Sequence, residues 1–130
     1  DSYSLVGKEM PVGIFIGLLA AVRTKAKFVA VFTDSDHHSH PASACMDPFN
    51  AGECNPTPFL VKDCRVLLSN TRNWVDHFDP SDLATTVDIY KDLPSNVSPS
   101  QREREWLKEG KIVRAKNWAA LLDYLLKTEL

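Results

Sequence analysis

Asp34-Ser35-Asp36-His37-His38-Ser39-His40, followed by Cys45 and Cys54, concentrates the side chains of this sequence that can bind metal or move protons. Carboxylates, imidazoles and thiolates placed after a buried strand are the ligand types of zinc or another transition metal. The spacing matches no structural zinc site, because no Cys-x-x-Cys pair exists and the two thiols stand far apart in sequence. Two readings follow. Either the segment is a solvated polar loop, or Asp34, Asp36, His37, His38 and His40 form a metal or ligand site. The first is preferred, and no resident cofactor is expected.

Asp36-His37-His38 also spells the signature of the DHH phosphoesterases. That family needs further Asp-bearing motifs upstream, and residues 1–33 contain only Asp1, so the match is accidental. Other catalytic patterns are missing. Glycines 7, 13, 17, 52 and 110 fit neither a P-loop nor a dinucleotide fingerprint. Gly-x-Ser-x-Gly is absent, and nothing sets a nucleophile beside a base. Cys64, preceding an apolar run, reads as a buried thiol. Trp74 and Trp106 are candidate interface anchors, with partial core packing the competing role for Trp106.

With 130 residues the chain reads as one domain, 1–130, large enough to bury a core. Its 15 basic and 17 acidic side chains leave a net charge of -2, which gives no overall basic face for nucleic acid. Three cysteines cannot complete a disulfide framework, so free thiols and an intracellular, reducing setting are expected. The apolar run from Val12 to Val22 is too short to span a membrane. The chain starts without Met and stops on an apolar stripe, as an excised fragment would.

These residues must be positioned by elements that can be read in order. Ser2 to Lys8 reads as a strand ended by Gly7. Pro11 opens a helix to about Thr24, with Ile14, Phe15, Leu18, Leu19 and Val22 as its buried face. Lys27 to Phe32 is a buried-type strand. Residues 35–63 form a long loop or insertion, dense in proline and turn residues up to Pro58. Arg65 to Leu68 is a second apolar strand, Asn70 to Pro80 a polar connection. Leu83 to Tyr90 is readable as a helix capped by Asp82 or as an alternating strand.

The C-terminal stretch is the most explicit. Ser98, Pro99 and Gln101 form a helix start, and Gly110 supplies a left-handed stop. Lys111 to Ala115 is a short strand. Asn117 can cap a last helix in which Trp118, Leu121, Leu122, Leu125 and Leu126 make one apolar stripe.

That order of elements, with Gly110-Lys111-Ile112-Val113 followed by Trp118 and with Ile89-Tyr90-Lys91-Asp92-Leu93 upstream, resembles a BRCT domain. The motif-bearing resemblance covers residues 85–130. It implies an α/β fold with a small, mainly parallel sheet flanked by helices, in which Trp118 plugs the core. It also implies a non-enzymatic protein–protein interaction module of a nuclear protein of DNA repair, replication or checkpoint signalling. Its partner would be a protein or phosphopeptide, with DNA reached through a larger complex and no membrane. Phosphopeptide-binding members place a Ser or Thr with a Gly at the end of the first strand and a Lys on the second helix. At the matching positions stand Val6-Gly7 and Arg102, with Ser4 or Lys8 replacing the missing hydroxyl, so the expected binding residues are Ser4, Gly7, Lys8 and Arg102. The alternative is a Rossmann-like three-layer sandwich, an enzyme or nucleotide-binding domain with its ligand at Asp34–His40.

Overall fold

The computed structural model describes residues 11–34, 38, 40–50 and 56–130. The chain divides into two compact units, Asp1–Asn73 with Ala119–Leu130, and Trp74–Trp118.

The first unit is built on β3 (Cys64–Ser69), whose residues are almost all buried. β1 (Phe28–Phe32) pairs with it in parallel, Val29 opposite Val66 and Val31 opposite Leu68. β2 (Phe59–Val61) pairs antiparallel on its other side, Phe59 opposite Val66 and Leu60 opposite Arg65. Strand alternation sends Cys64, Val66 and Leu68 to one face, where they form a core with Ile14, Ala21 and Met46. Ile14 and Ala21 belong to α1 (Val12–Arg23), which therefore covers that face. Arg65 and Leu67 point the opposite way, and there the Arg65 guanidinium donates to the carbonyls of Leu125 (3.0 Å) and Thr128 at the end of α5 (Trp118–Lys127). Two single-turn helices, α2 (Pro41–Ala44) and α3 (Asp47–Asn50), lie within the expected long loop. Asn70 fastens them by donating to Ser43 O and to Asp47 Oδ1.

The second unit is a sheet centred on β4 (Val75–Asp79), with β5 (Asp82–Thr86) and β6 (Val113–Lys116) antiparallel to it on either side. α4 (Pro99–Lys108) starts as the sequence predicts: Ser98 Oγ accepts from the Gln101 amide at 3.1 Å, with Pro99 in the first turn. It also ends as predicted. Gly110 takes φ +69°, and the amides of Gly110 and Lys111 return to the carbonyls of Leu107 and Trp106.

Two expectations are corrected. The small, mainly parallel sheet flanked by helices, BRCT-like, is not found, nor is the Rossmann-like three-layer sandwich. The described residues form two three-stranded sheets in which only β1 and β3 run parallel. The physical reason lies in residues 75–86. The segment read as a polar connection and an ambiguous run folds into the β4–β5 hairpin, and β4 then takes β6 as its second neighbour. The run after Gly110 thus completes a second sheet instead of extending the first. The other correction is Trp118, which is 46% exposed and stands beside Lys116 rather than plugging a core. Leu121 and Leu125 are the members of its stripe that are buried. The strand expected at Ser2–Lys8 lies outside the described residues.

Candidate interaction surface

No residue from Val12 to Val22 carries a polar side chain. A helix with no polar side has no contrast to orient it, so its packing is decided by shape. Ile14, Gly17 and Ala21 face inward, at the helical spacing i, i+3, i+7. Small residues win that face because α1 lies close against β1: a Cβ on Gly17 would meet Val31 Cγ2 at 2.8 Å and Val29 Cγ1 at 3.3 Å. Ile14 and Leu18 lie toward the core, and the other bulky residues are left outside. Val12, Phe15, Ile16, Leu19 and Val22 are all exposed, Phe15 by 67% and Ile16 by 62%. Phe15, Leu19 and Val22, expected in the buried face, are therefore on the outer one. The result is an uncharged apolar ridge along the helix.

A cleft of about 300 Å³ opens at the C-terminal end of α1, lined by Thr24, Lys25, Lys27, Lys62, Asp63 and Cys64 among others. Lys62 sits in the β2–β3 turn with φ 54°, a left-handed backbone that a residue with a Cβ adopts at some cost. Its ammonium donates to Val22 O at 3.3 Å, closing the end of α1. Burial pushes the Cys64 thiol up, with the Lys27 charge pulling it partly back. The thiol faces the Arg65 carbonyl at 3.8 Å, which gives it no base. The geometry makes Cys64 an inert core thiol, as its place before an apolar run suggests.

Of the expected binding residues, Ser4, Gly7 and Lys8 lie outside the described residues. Arg102, on α4, donates to the carbonyls of Ile89 (3.2 Å), Asp92 (3.1 Å) and Lys91, and its guanidinium lies 4.9 Å from the centre of the Trp106 ring. Three hydrogen bonds tie it to the 89–92 turn, where Asp92 takes φ 52°. Of the Asp34–His40 cluster, Asp36 and His37 lie outside the described residues. Among the described residues, Asp34, His38 and His40 included, no three His, Cys, Asp or Glu side chains approach closely enough to hold a metal ion.

One constellation was not legible in the sequence. Glu103, 3% exposed on α4, receives His77 Nε2 of β4 at 2.6 Å and Arg114 of β6 at 3.1 Å. On the other face of β4, Asn117 donates to Asp76 at 3.0 Å. A carboxylate between an imidazole and a guanidinium resembles a proton relay. Yet the only hydrogen bond His77's side chain makes among the described residues is to Glu103, so no nucleophile is attached. The cluster works as a tie joining α4 to two strands. A histidine in Val75–Asp79 and an arginine in Val113–Lys116, with Glu103 in the intervening helix, were the available signal, but pairing cannot be read from composition.

Among the described residues, no helix is long and apolar enough to cross a membrane. Comparison with protein-family models, with curated proteins and with solved structures finds no match for this chain.

Proposed function

We propose that this chain is a non-enzymatic protein–protein interaction module that docks through the outer face of α1. The observation that carries it is the row of Val12, Phe15, Ile16, Leu19 and Val22, five exposed apolar side chains on a helix that carries no charge before Arg23. Isolated surface apolar residues are ordinary, whereas a contiguous patch of this kind costs solubility unless something covers it. The unactivated Cys64 and the His77–Glu103 tie support binding over catalysis. The nuclear repair, replication or checkpoint setting, and a phosphopeptide as ligand, rest on the resemblance at residues 85–130 alone; Arg102, engaged by three carbonyls, lends the phosphate no support.

The test is Ile16→Glu, followed by thermal melting and by binding of a hydrophobic fluorescent dye. In a solution dilute enough to keep the chain monomeric a docking residue is solvated, so the substitution should move Tm by less than about 4 °C while dye binding falls. A drop in Tm typical of a core residue would show that the ridge is packed within the chain and would end the proposal.

A further inference from the structure

We infer that the outer face of α1 is occupied by the same face of a second copy of this chain, the two helices antiparallel about a twofold axis near Ile16. This rests on the interaction-module reading above. Three observations select this occupant.

The first is area. With exposed fractions of 52%, 67%, 62%, 53% and 42% for Val12, Phe15, Ile16, Leu19 and Val22, the ridge offers apolar surface. At about 150–200 Å² for a whole residue, that is roughly 500 Å² per copy. Complete coverage of both ridges would bury at most about 1,000 Å², which only reaches the lower bound for a specific interface, so a weak dimer is expected.

The second is charge. Between Val12 and Val22 there is no ionisable group, so the face offers a foreign partner nothing to recognise by charge. It is, however, complementary to itself, as a twofold contact requires.

The third is direction. Arg23 follows directly on the ridge. Parallel pairing would set the two Arg23 side chains together, whereas antiparallel pairing separates them by about the length of the helix and opposes the two helix dipoles. Ile16, near the middle of the ridge, then lies closest to the axis, and Phe15 and Leu19 of each copy flank it.

The experiment uses the full chain with Cys45→Ser and Cys54→Ser. Sedimentation velocity from about 1 to 500 µM should show a monomer–dimer equilibrium with a dissociation constant on the order of 10 µM. Ile16→Glu should weaken it at least tenfold. Ile16→Cys should form a disulfide-linked dimer under mild oxidation, while Arg23→Cys, at the far end of an antiparallel pair, should not. A chain that stays monomeric throughout overturns the second copy as occupant, and so does dimerisation that Ile16→Glu leaves unchanged. Maleimide labelling of Ile16→Cys in such a monomer separates the two ideas. Fast labelling means an open face, and only the second copy fails; protection means the face is covered within the chain, and the module reading fails with it.

Discussion

Gly17 of α1 and Val31 of β1 are so close that a single added methyl carbon would stand 2.8 Å from the valine's Cγ2. Valine is stiff at χ1, so it cannot swing aside cheaply. Gly17→Ala gains roughly 1 kcal/mol of helix propensity but overpacks this contact by about 1–3 kcal/mol. The expected net is a destabilisation of about 1 kcal/mol in urea unfolding. Combining Gly17→Ala with Val31→Ala should recover part of the loss beyond additivity. Simple additivity would show that the contact does not set the spacing of α1.

Glu103 joins three elements, and its two partners differ in exposure: the side chain of His77 is 11% exposed and that of Arg114 39%. Removing the carboxylate leaves a buried imidazole without its partner, so Glu103→Ala should cost about 2–3 kcal/mol. Arg114→Ala gives up a pair that is partly in water and should cost about 1 kcal/mol or less. The order of the two is the test, read by denaturant midpoints. Equal costs would mean that burial of Glu103 is not what matters.

Arg65 is the link between β3 and the end of α5, donating to Leu125 O, Leu126 O and Thr128 O. Leu125 and Leu126 lie in the last turn of α5, where carbonyls have no partner inside the helix, and Thr128 follows it directly. Arg65→Ala should lower stability by about 1–3 kcal/mol and speed amide exchange in Tyr124–Thr128. Arg65→Lys keeps the charge at the helix end but not the guanidinium geometry, and should restore less than half of the loss. Unchanged exchange in Arg65→Ala would detach this residue from α5.

Cys64 gives a pH dependence whose sign follows from burial. Its folded pKa is raised above the ordinary thiol value of 9.0, because the thiolate would lose its water, with Lys27 opposing only in part. The protonated thiol therefore favours the folded chain. Its contribution is complete below the range where a free thiol ionises, and is lost as pH rises through the raised folded value. Stability should thus fall above pH 9.0 more steeply in the parent chain than in Cys64→Ala. Parallel pH profiles for the two would show that the thiolate is solvated in the folded chain.

How much of this was legible depended on whether local chemistry or tertiary fit made the decision. Ser98, Pro99 and Gly110 announce α4 because caps are local, and the structure uses each of them where the sequence places it. Val66 to Leu68 is equally plain, since the part of a strand that is buried on both faces reads as a continuous apolar run. β4 was missed because Val75-Asp76-His77-Phe78-Asp79 is only half-buried and carries polar residues on both faces; one face finds Glu103, the other Asn117. α1 was found as a helix, and Ile14 and Leu18 do lie toward the core as expected, but Phe15, Leu19 and Val22 fall outside it. Large side chains were expected inside, yet the close approach to Val29 and Val31 reserves that side for Gly17 and Ala21. The same close approach created the candidate surface, which is why no motif marked it. The cluster at Asp34–His40 drew attention by composition, and composition alone does not bring side chains to one point.

The discontinuity of the first unit has a consequence during synthesis. Residues 11–73 carry β1, β2 and β3, but the face bearing Arg65 and Leu67 waits for Ala119–Leu130. On the ribosome that face stands open until the whole of Trp74–Trp118 has been made, whereas the contacts within Trp74–Trp118 are all at hand once Trp118 emerges. The inserted unit is therefore the one able to fold first, and the earlier-made segment closes last. A chain stopped near residue 118 would hold a complete second unit and an exposed, unfinished first one, the form in which this sequence is most exposed to aggregation and proteolysis.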